Sequence, residues 1–134
     1  MKRSEIRELA FKLIYSLEVL KTEDINEQIE LYIENNNLND QNAIQYIQDC
    51  IYGINENNEY ITKTIESILT SDWKIERLSK INLSLLKLAI YEIKYKNIPY
   101  KVEINEVVEL AKSYGDDMAS KFINGALAKV IQDL

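Results

Sequence analysis

Residues that interrupt regular structure are almost absent from this chain. Its 134 residues include one proline and three glycines, while apolar side chains recur every three or four positions along nearly the whole sequence. That spacing places the apolar side chains on one face of an α-helix, whereas a half-buried strand requires strict alternation. The sequence therefore predicts an all-α fold whose helices are joined by short loops.

Seven segments carry this helical periodicity. They predict one domain over residues 1–134, a bundle of about seven helices in two packed halves. The fifth segment, residues 78–93, is apolar over much of its circumference, which is typical of a helix at the centre of a bundle. The sixth is expected over residues 102–113, with Gly115 as a left-handed C-cap. Trp73 is expected to anchor the two halves to each other, because a buried indole contributes a large apolar area.

The residue types present exclude most catalytic sites. Histidine is absent and cysteine occurs once, as Cys50, so a Ser-His-Asp triad, a Cys-His pair and the usual zinc sites cannot form. An acidic row at helical spacing remains, Glu103, Glu106 and Glu109, and we interpret it as a solvated helix face rather than a metal or acid/base site. The sequence therefore predicts that the chain is not an enzyme and has no catalytic residue, metal ion or cofactor.

Membrane and secretory signals are not evident in the sequence. No apolar run approaches the roughly 20 residues that a membrane helix needs, and charges interrupt the apolar positions of residues 1–15. A single cysteine cannot form an internal disulfide, which suits a reducing compartment. We expect a cytoplasmic protein that makes no contact with a membrane.

Charge is distributed unevenly along the chain. The formal net charge is −6, yet residues 22–72 hold a single lysine against eleven acids, and the segments on either side each carry a net +2. Because the local field rather than the total charge guides a polyanion, an acidic middle is compatible with a cationic face elsewhere. The net charge therefore does not exclude nucleic acid as a partner.

Four runs of sequence resemble the NusB family of transcription antitermination factors. The resemblance follows the order and spacing of the family along the whole chain, and residues 21–70 are its least distinctive part. It implies a two-part helical bundle that catalyses no reaction and pairs with the ribosomal protein NusE. The four runs are residues 7–15 (RELAFKLIY), 85–93 (LLKLAIYEI), 98–112 (IPYKVEINEVVELAK) and 121–127 (KFINGAL).

The resemblance also implies a function in transcription. Together with NusE, NusB-like proteins bind the boxA element of nascent RNA. That complex works with other Nus factors to keep RNA polymerase elongating through ribosomal RNA operons. On this basis we expect boxA-like single-stranded RNA, NusE and the RNA polymerase antitermination complex as partners.

Cationic and aromatic side chains are the candidate RNA contacts. Arg3 and Arg7 lie four residues apart, on neighbouring turns of one helix face, where arginines could bind phosphates and base edges. The resemblance places the basic cluster of the family at this end, although Ser4 and Glu5 interrupt the denser arginine run that family members often have. Aromatic rings can stack on unpaired bases. The residues expected to contact RNA are Lys2, Arg3, Arg7, Tyr15, Tyr114, Lys121 and Phe122.

The resemblance points to the start of the fifth helix as part of the NusE surface. Glu76, Lys80 and Asn82 are the polar residues in that region. Family members often carry an acid at the position of Asn82, so an ion pair made by that acid would be absent here.

Other functions and assemblies stay open at the level of sequence. A NusB-like helical interaction protein could have kept the fold and lost RNA affinity, since the arginine cluster is thin. A NusB-like bundle also forms an accessory domain of some ribosomal RNA cytosine methyltransferases, although this sequence has no glycine-rich cofactor loop. An apolar stripe could serve a core or a dimer interface equally, so a homodimer is a further alternative.

Overall fold

Helices make up nearly all of the structure. A computed structural model describes residues 1–21, 24–69 and 74–133, and these contain seven α-helices, one 3-10 helix and no strand. The all-α prediction and the predicted number of helices are confirmed. Trp73, the expected anchor, lies outside the described residues. The elements are α1 Arg3–Leu20, α2 Ile25–Asn35, α3 Gln41–Glu56, α4 Asn58–Ile68, the 3-10 helix Ile75–Arg77, α5 Lys80–Tyr95, α6 Tyr100–Tyr114 and α7 Ala119–Asp133.

Side-chain caps fix where two of the central helices begin. Asp40 accepts hydrogen bonds from the backbone N–H groups of Asn42 and Ala43 at 2.9 and 3.3 Å. Ser79 accepts one from the backbone N–H of Asn82 at 3.0 Å. These caps satisfy N–H groups that the first turn of a helix leaves without partners. Asp40 and Ser79 therefore define the starts of α3 and α5.

The turn after α6 differs from the prediction. Gly115 has φ −93° and ψ −178°, which is extended backbone rather than the expected left-handed C-cap. A Cβ atom at this position would lie 2.4 Å from Ala119 Cβ and 2.8 Å from the carbonyl oxygen of Ala111. Glycine is therefore needed because the turn between α6 and α7 leaves no room for a side chain.

Helix α5 lies at the centre of the bundle, as its apolar circumference predicts. Every residue from 83 to 92 is buried, and α5 contacts α1, α3, α4, α6 and α7. One cluster of buried apolar side chains, Cys50 among them, takes members from all seven helices. α1 packs on α3 and α6 packs on α7, and α5 contacts both of these pairs. Despite this apolar centre, no helix in the described part of the chain has the length and hydropathy needed to cross a membrane.

Candidate nucleic-acid interface

The N-terminal end of α1 presents two of the predicted cations to solvent. The side chains of Lys2 and Arg3 are exposed. The Lys2 backbone N–H donates to Glu5 Oε1 at 3.1 Å, which places an acid at the positive end of the helix dipole, where negative charge is favourable. Arg3 also borders a cleft of about 370 Å³ that Asp40 and Tyr46 help to line. Lys2 and Arg3 are therefore accessible to a phosphate group.

Arg7 lies inside the protein, contrary to the prediction. Only 4% of the residue is exposed, and its Nε donates to Glu92 Oε1 at 2.9 Å. Burial acts to lower the pKa of Arg7, but the charge of Glu92 and the hydrogen bond to it outweigh this effect, so the pKa is raised. The prediction that Arg7 is exposed beside Arg3 is wrong, because the guanidinium neutralises a carboxylate in the core. Arg7 is therefore no part of the interface proposed below.

The prediction that the acidic row on α6 is a solvated helix face is also wrong, because the row does not stay on the surface. Glu103 is fully buried, with its Oε1 3.2 Å from Arg7 Nε. Glu106 is partly exposed and lies 3.6 Å from Arg7 Nη1, while Glu109 is exposed and pairs with Lys112 at 3.2 Å. The row therefore runs from the core outward, and its first member belongs to the ion cluster around Arg7.

Glu103 is expected to be neutral at physiological pH. Arg7 Nε gives its hydrogen bond to Glu92, and neither carboxyl oxygen of Glu103 accepts a hydrogen bond within the described residues. Burial raises the pKa of Glu103 to about 10, with a hydrogen bond to Glu92 and the charge of Glu92 adding to the effect. As a carboxylic acid, Glu103 can donate a hydrogen bond to Glu92, and Tyr46 Oη donates to Glu92 Oε2 at 2.7 Å. This cluster joins α1, α3, α5 and α6 and has a structural role.

Tyr114, at the end of α6, is held against α1. Its hydroxyl donates to Glu8 Oε2 at 2.6 Å, and its ring centroid lies 5.3 Å from that of Phe11. Lys12 Nζ sits 5.6 Å from the centroid of the Tyr114 ring, within the range of a cation–π contact. The hydrogen bond to Glu8, together with burial, raises the pKa of Tyr114, so the tyrosine stays protonated. The ring is half-buried.

Lys12 is a candidate that the sequence reasoning missed. Its side chain is exposed, and it follows Glu8 by one helical turn, which is the signal that could have placed it near Tyr114. We use the name α1 surface for Lys2, Arg3, Lys12 and Tyr114. Tyr15, another of the predicted rings, is half-buried and packs against the core, so only part of its ring is available for stacking.

A groove lies at the start of α5, between the 3-10 helix and α7. Its volume is about 460 Å³, and the half-buried ring of Phe122 forms part of its wall. The Oδ1 atom of Asn82 is buried in this region and meets no donor in the described part of the chain. We call this feature the α5 groove. Its polar and aromatic lining residues are Arg77, Ser79, Asn82, Asp116, Phe122 and Lys129.

The α5 groove brings together residues predicted for two different partners. Phe122 was expected to contact RNA and Asn82 to contact NusE, and both line the same groove. Lys121 and Glu76 are exposed beside it, and Lys80 is half-buried. The turn between α6 and α7 links the groove to the α1 surface, since Tyr114 contacts α1 and Asp116 lines the groove. The two regions therefore lie along one connected stretch of the protein surface.

This arrangement offers the contacts that a single-stranded polyanion needs. Exposed cations on α1 can neutralise phosphates, and the half-buried ring of Phe122 in the groove wall can stack on a base. Arg77 and Lys129 are exposed at the groove, where they add cationic groups that the sequence reasoning did not select. Within the described residues, no cluster of acids or cysteines has the arrangement of a metal site.

Comparison with known proteins agrees with the fold and with the motifs. The model of the NusB family matches residues 4–132. The transcription antitermination protein NusB of Ruminiclostridium cellulolyticum is 47% identical over 131 residues, covering 97% of this chain and 88% of the relative. NusB from T. maritima has a structure that matches with a TM-score of 0.90 at 31% identity, over 99% of this chain and 92% of that one.

A solved complex of antitermination factors NusB and NusE with double-stranded RNA has the same fold. It matches with a TM-score of 0.87 at 24% identity and covers both chains fully, at 100% each. At that identity the likeness concerns the fold alone. The assignment rests on the family match over nearly the entire sequence and on the 47%-identical relative, which is covered over most of its length. This chain belongs to the NusB family of transcription antitermination proteins.

Proposed function

We propose that this chain binds boxA-like RNA of nascent ribosomal RNA transcripts together with ribosomal protein NusE, and so supports processive elongation by RNA polymerase alongside other Nus factors. Family membership supports the antitermination role. Family membership also supports the choice of partners, since a NusB was solved together with NusE and double-stranded RNA. The proposed activity is binding alone, and it requires no catalytic residue or cofactor.

One observation carries the assignment of the RNA site: Tyr114 is docked on α1 beside an exposed cation, Lys12. Its hydrogen bond to Glu8 and the position of Lys12 over its ring link the basic end of α1 to the α6–α7 turn. An RNA strand along this path would meet phosphate contacts at Lys2 and Arg3 and a stacking ring at Phe122. Phosphate contacts give affinity and salt dependence, whereas the base contacts give sequence preference.

NusE is proposed to cover the α5 groove and the 3-10 helix. The buried Oδ1 of Asn82 meets no donor among the described residues, so a backbone or side-chain N–H of a partner would satisfy it. Exposed Glu76 and Arg77 on the 3-10 helix can contribute polar contacts at the rim of such an interface. Because the groove adjoins the RNA path, one RNA strand could contact both proteins, and the two modest affinities would then combine.

Removal of two cations from the α1 surface tests the RNA site. We expect Arg3→Ala combined with Lys12→Ala to weaken binding of a labelled boxA-like RNA several-fold, because two phosphate contacts are lost. The slope of log affinity against log salt should become shallower by about 1 per lost contact. Fluorescence anisotropy at several salt concentrations, with and without NusE from the same source, measures both quantities.

Lys63→Ala provides the matched control. Lys63 is exposed on α4 and pairs only with Glu59, at 3.0 Å, among the described residues, so its loss should leave RNA affinity unchanged. Equal affinities of the double variant and the unmodified protein would place the RNA site elsewhere. Failure to prefer boxA-like RNA over a scrambled sequence, even with NusE present, would instead favour the interaction protein without RNA activity.

Asn82 gives a separate test of the NusE surface. We expect Asn82→Ala to lower the affinity for NusE roughly tenfold, since a partner N–H would lose its acceptor inside the interface. Isothermal titration calorimetry of NusE into each variant measures the change. Asn55→Ala serves as control, because Asn55 is an exposed helical asparagine on α3 away from the α5 groove lining. Identical affinities of both variants would remove Asn82 from the interface.

A further inference from the structure

Four tyrosines form a connected aromatic surface that the proposed function does not use. The rings of Tyr91 and Tyr95 stack with centroids 5.7 Å apart, and Tyr60 meets Tyr95 edge-on at 6.1 Å. Tyr52 lines the same cleft as Tyr91 and Tyr95, and the cleft volume is about 470 Å³. We call these residues, contributed by α3, α4 and α5, the tyrosine face. Tyr52, Tyr60 and Tyr95 are 43%, 39% and 36% exposed, so much of this aromatic area is open to a partner.

Close packing holds the tyrosine face in place. A Cβ atom at Gly53 would lie 2.2 Å from Tyr91 Oη, so the ring can lie against α3 only because this position has no side chain. Tyr91 Oη donates to Asp49 Oδ2 at 3.0 Å, and Lys96 Nζ lies 3.3 Å from the same oxygen. Tyr52 donates a hydrogen bond to Asn26, which ties α3 to α2. Rings fixed in this way lose little conformational entropy when a partner binds.

The acidic residues near the tyrosine face favour a cationic partner. Residues 24–69, which supply α2, α3 and α4, contain one lysine against nine acids. One ring already makes a cation–π contact within the protein, since Lys94 Nζ lies 5.6 Å from the centroid of the Tyr60 ring. Glu56 is exposed at the cleft and is available to pair with an incoming cation. The described lining of the cleft includes two carboxylates, Asp49 and Glu56, and no lysine or arginine, and aromatic rings beside carboxylates attract guanidinium and ammonium groups.

We propose that the tyrosine face binds an arginine- or lysine-rich segment of a protein partner. An arginine of that segment stacks on Tyr95 or Tyr52, where planar guanidinium groups pair well with aromatic rings. Glu56 neutralises its charge. Tyrosine is enriched at protein interfaces because its ring is large and rigid and its hydroxyl tolerates water. The surface would thus connect the protein to a basic partner while the α1 surface holds RNA.

A pair of designed peptides tests this proposal. The first alternates arginine with alanine and carries a fluorescent label, and the second replaces each arginine with glutamate. We expect saturable binding of the arginine peptide alone. Tyr52→Ala combined with Tyr95→Ala should weaken that binding about tenfold, the loss typical of removing interface aromatic contacts. RNA affinity of the same variant should not change.

Tyr100→Ala is the matched control, because Tyr100 is 45% exposed at the start of α6, outside the tyrosine face. Thermal unfolding of each variant separates a loss of binding from a loss of folding. If the double tyrosine variant fails to fold, Glu56→Gln is tested in its place. The arginine peptide should bind the Glu56→Gln protein several-fold more weakly than the unmodified protein. Absence of binding by the arginine peptide, equal binding of the glutamate peptide, or equal loss in Tyr100→Ala would overturn the proposal. So would a loss of RNA affinity in the double tyrosine variant.

Discussion

Replacing Arg7 with alanine is expected to lower the free energy of unfolding by about 3–5 kcal/mol, the cost of breaking a buried ion pair from one side. The side chains of Arg7 and Glu92 are 5% and 1% exposed, so Glu92 has little access to solvent once the guanidinium is lost. Glu92 would keep its hydrogen bond from Tyr46 but would lose its counter-charge. Urea unfolding followed by circular dichroism measures the change as a lower midpoint at unchanged slope.

Comparison with a surface lysine makes this test specific. Lys63→Ala removes an exposed cation in a pair on α4, and surface pairs of this kind contribute less than about 1 kcal/mol. The double variant Arg7→Met with Glu92→Leu should lose less stability than the two single variants added together, because it leaves no unpaired charge. An Arg7→Ala protein of unchanged stability with a reduced RNA salt dependence would restore Arg7 as an RNA contact.

The second large effect is a fall in stability as pH rises from about 5 towards 10. Folding raises the pKa of Glu103 from 4.5 to about 10, chiefly through burial. In that range the folded protein holds a proton that the unfolded chain has released, so the free energy of unfolding falls by roughly 1 kcal/mol for each pH unit. The stabilisation is fully present below pH 4.5 and lost as pH approaches 10. Arg7, Glu92 and Glu106 lie around the carboxyl group of Glu103, and Tyr46 bonds to Glu92. These groups set the pH range over which the stability falls.

Glu103→Gln isolates the contribution of this carboxyl group. The amide can donate to Glu92 as the protonated acid does, and it does not titrate. The variant should therefore match the unmodified protein near pH 5 and exceed its stability near pH 9, with a flatter profile between them. Glu109→Gln, at the exposed end of the same row, should keep the original slope. Parallel profiles for Glu103→Gln and the unmodified protein would mean that Glu103 is ionised in the folded state.

Local sequence signals were sufficient for the helical architecture. Spacing of apolar residues predicts helices because burial of one helix face depends on residues three and four apart. The central position of α5 follows from its own apolar circumference, and Asp40 marks a helix start through contacts within two or three residues. The α6–α7 turn was placed correctly at Gly115, although its backbone angles were not, because the crowding there comes from two helices at once.

The candidate RNA site was predicted only in part. Lys2, Arg3 and Lys121 are exposed as a surface contact requires, but the nearness of Lys12 to Tyr114 depends on how α6 docks on α1. The shared groove of Phe122 and Asn82 likewise requires α5 and α7 to be adjacent. Residue type can identify a cationic or aromatic side chain as a candidate RNA contact. It cannot tell which of these side chains neighbouring helices bring together.

The sequence by itself determined the helices, their amphipathic faces and the family, because these depend on local spacing and motif order. Only the tertiary structure determined which charged side chains are buried and which partners they have. Arg7 precedes buried Ala10 and Ile14 by three and seven positions, which places it on the apolar stripe of α1. Glu103 precedes buried Val107 and Leu110 on α6 by four and seven positions. An isolated charge at such a position is costly to bury. Burial became favourable only because Glu92, 85 residues from Arg7, supplies the opposite charge when α1 and α5 pack together.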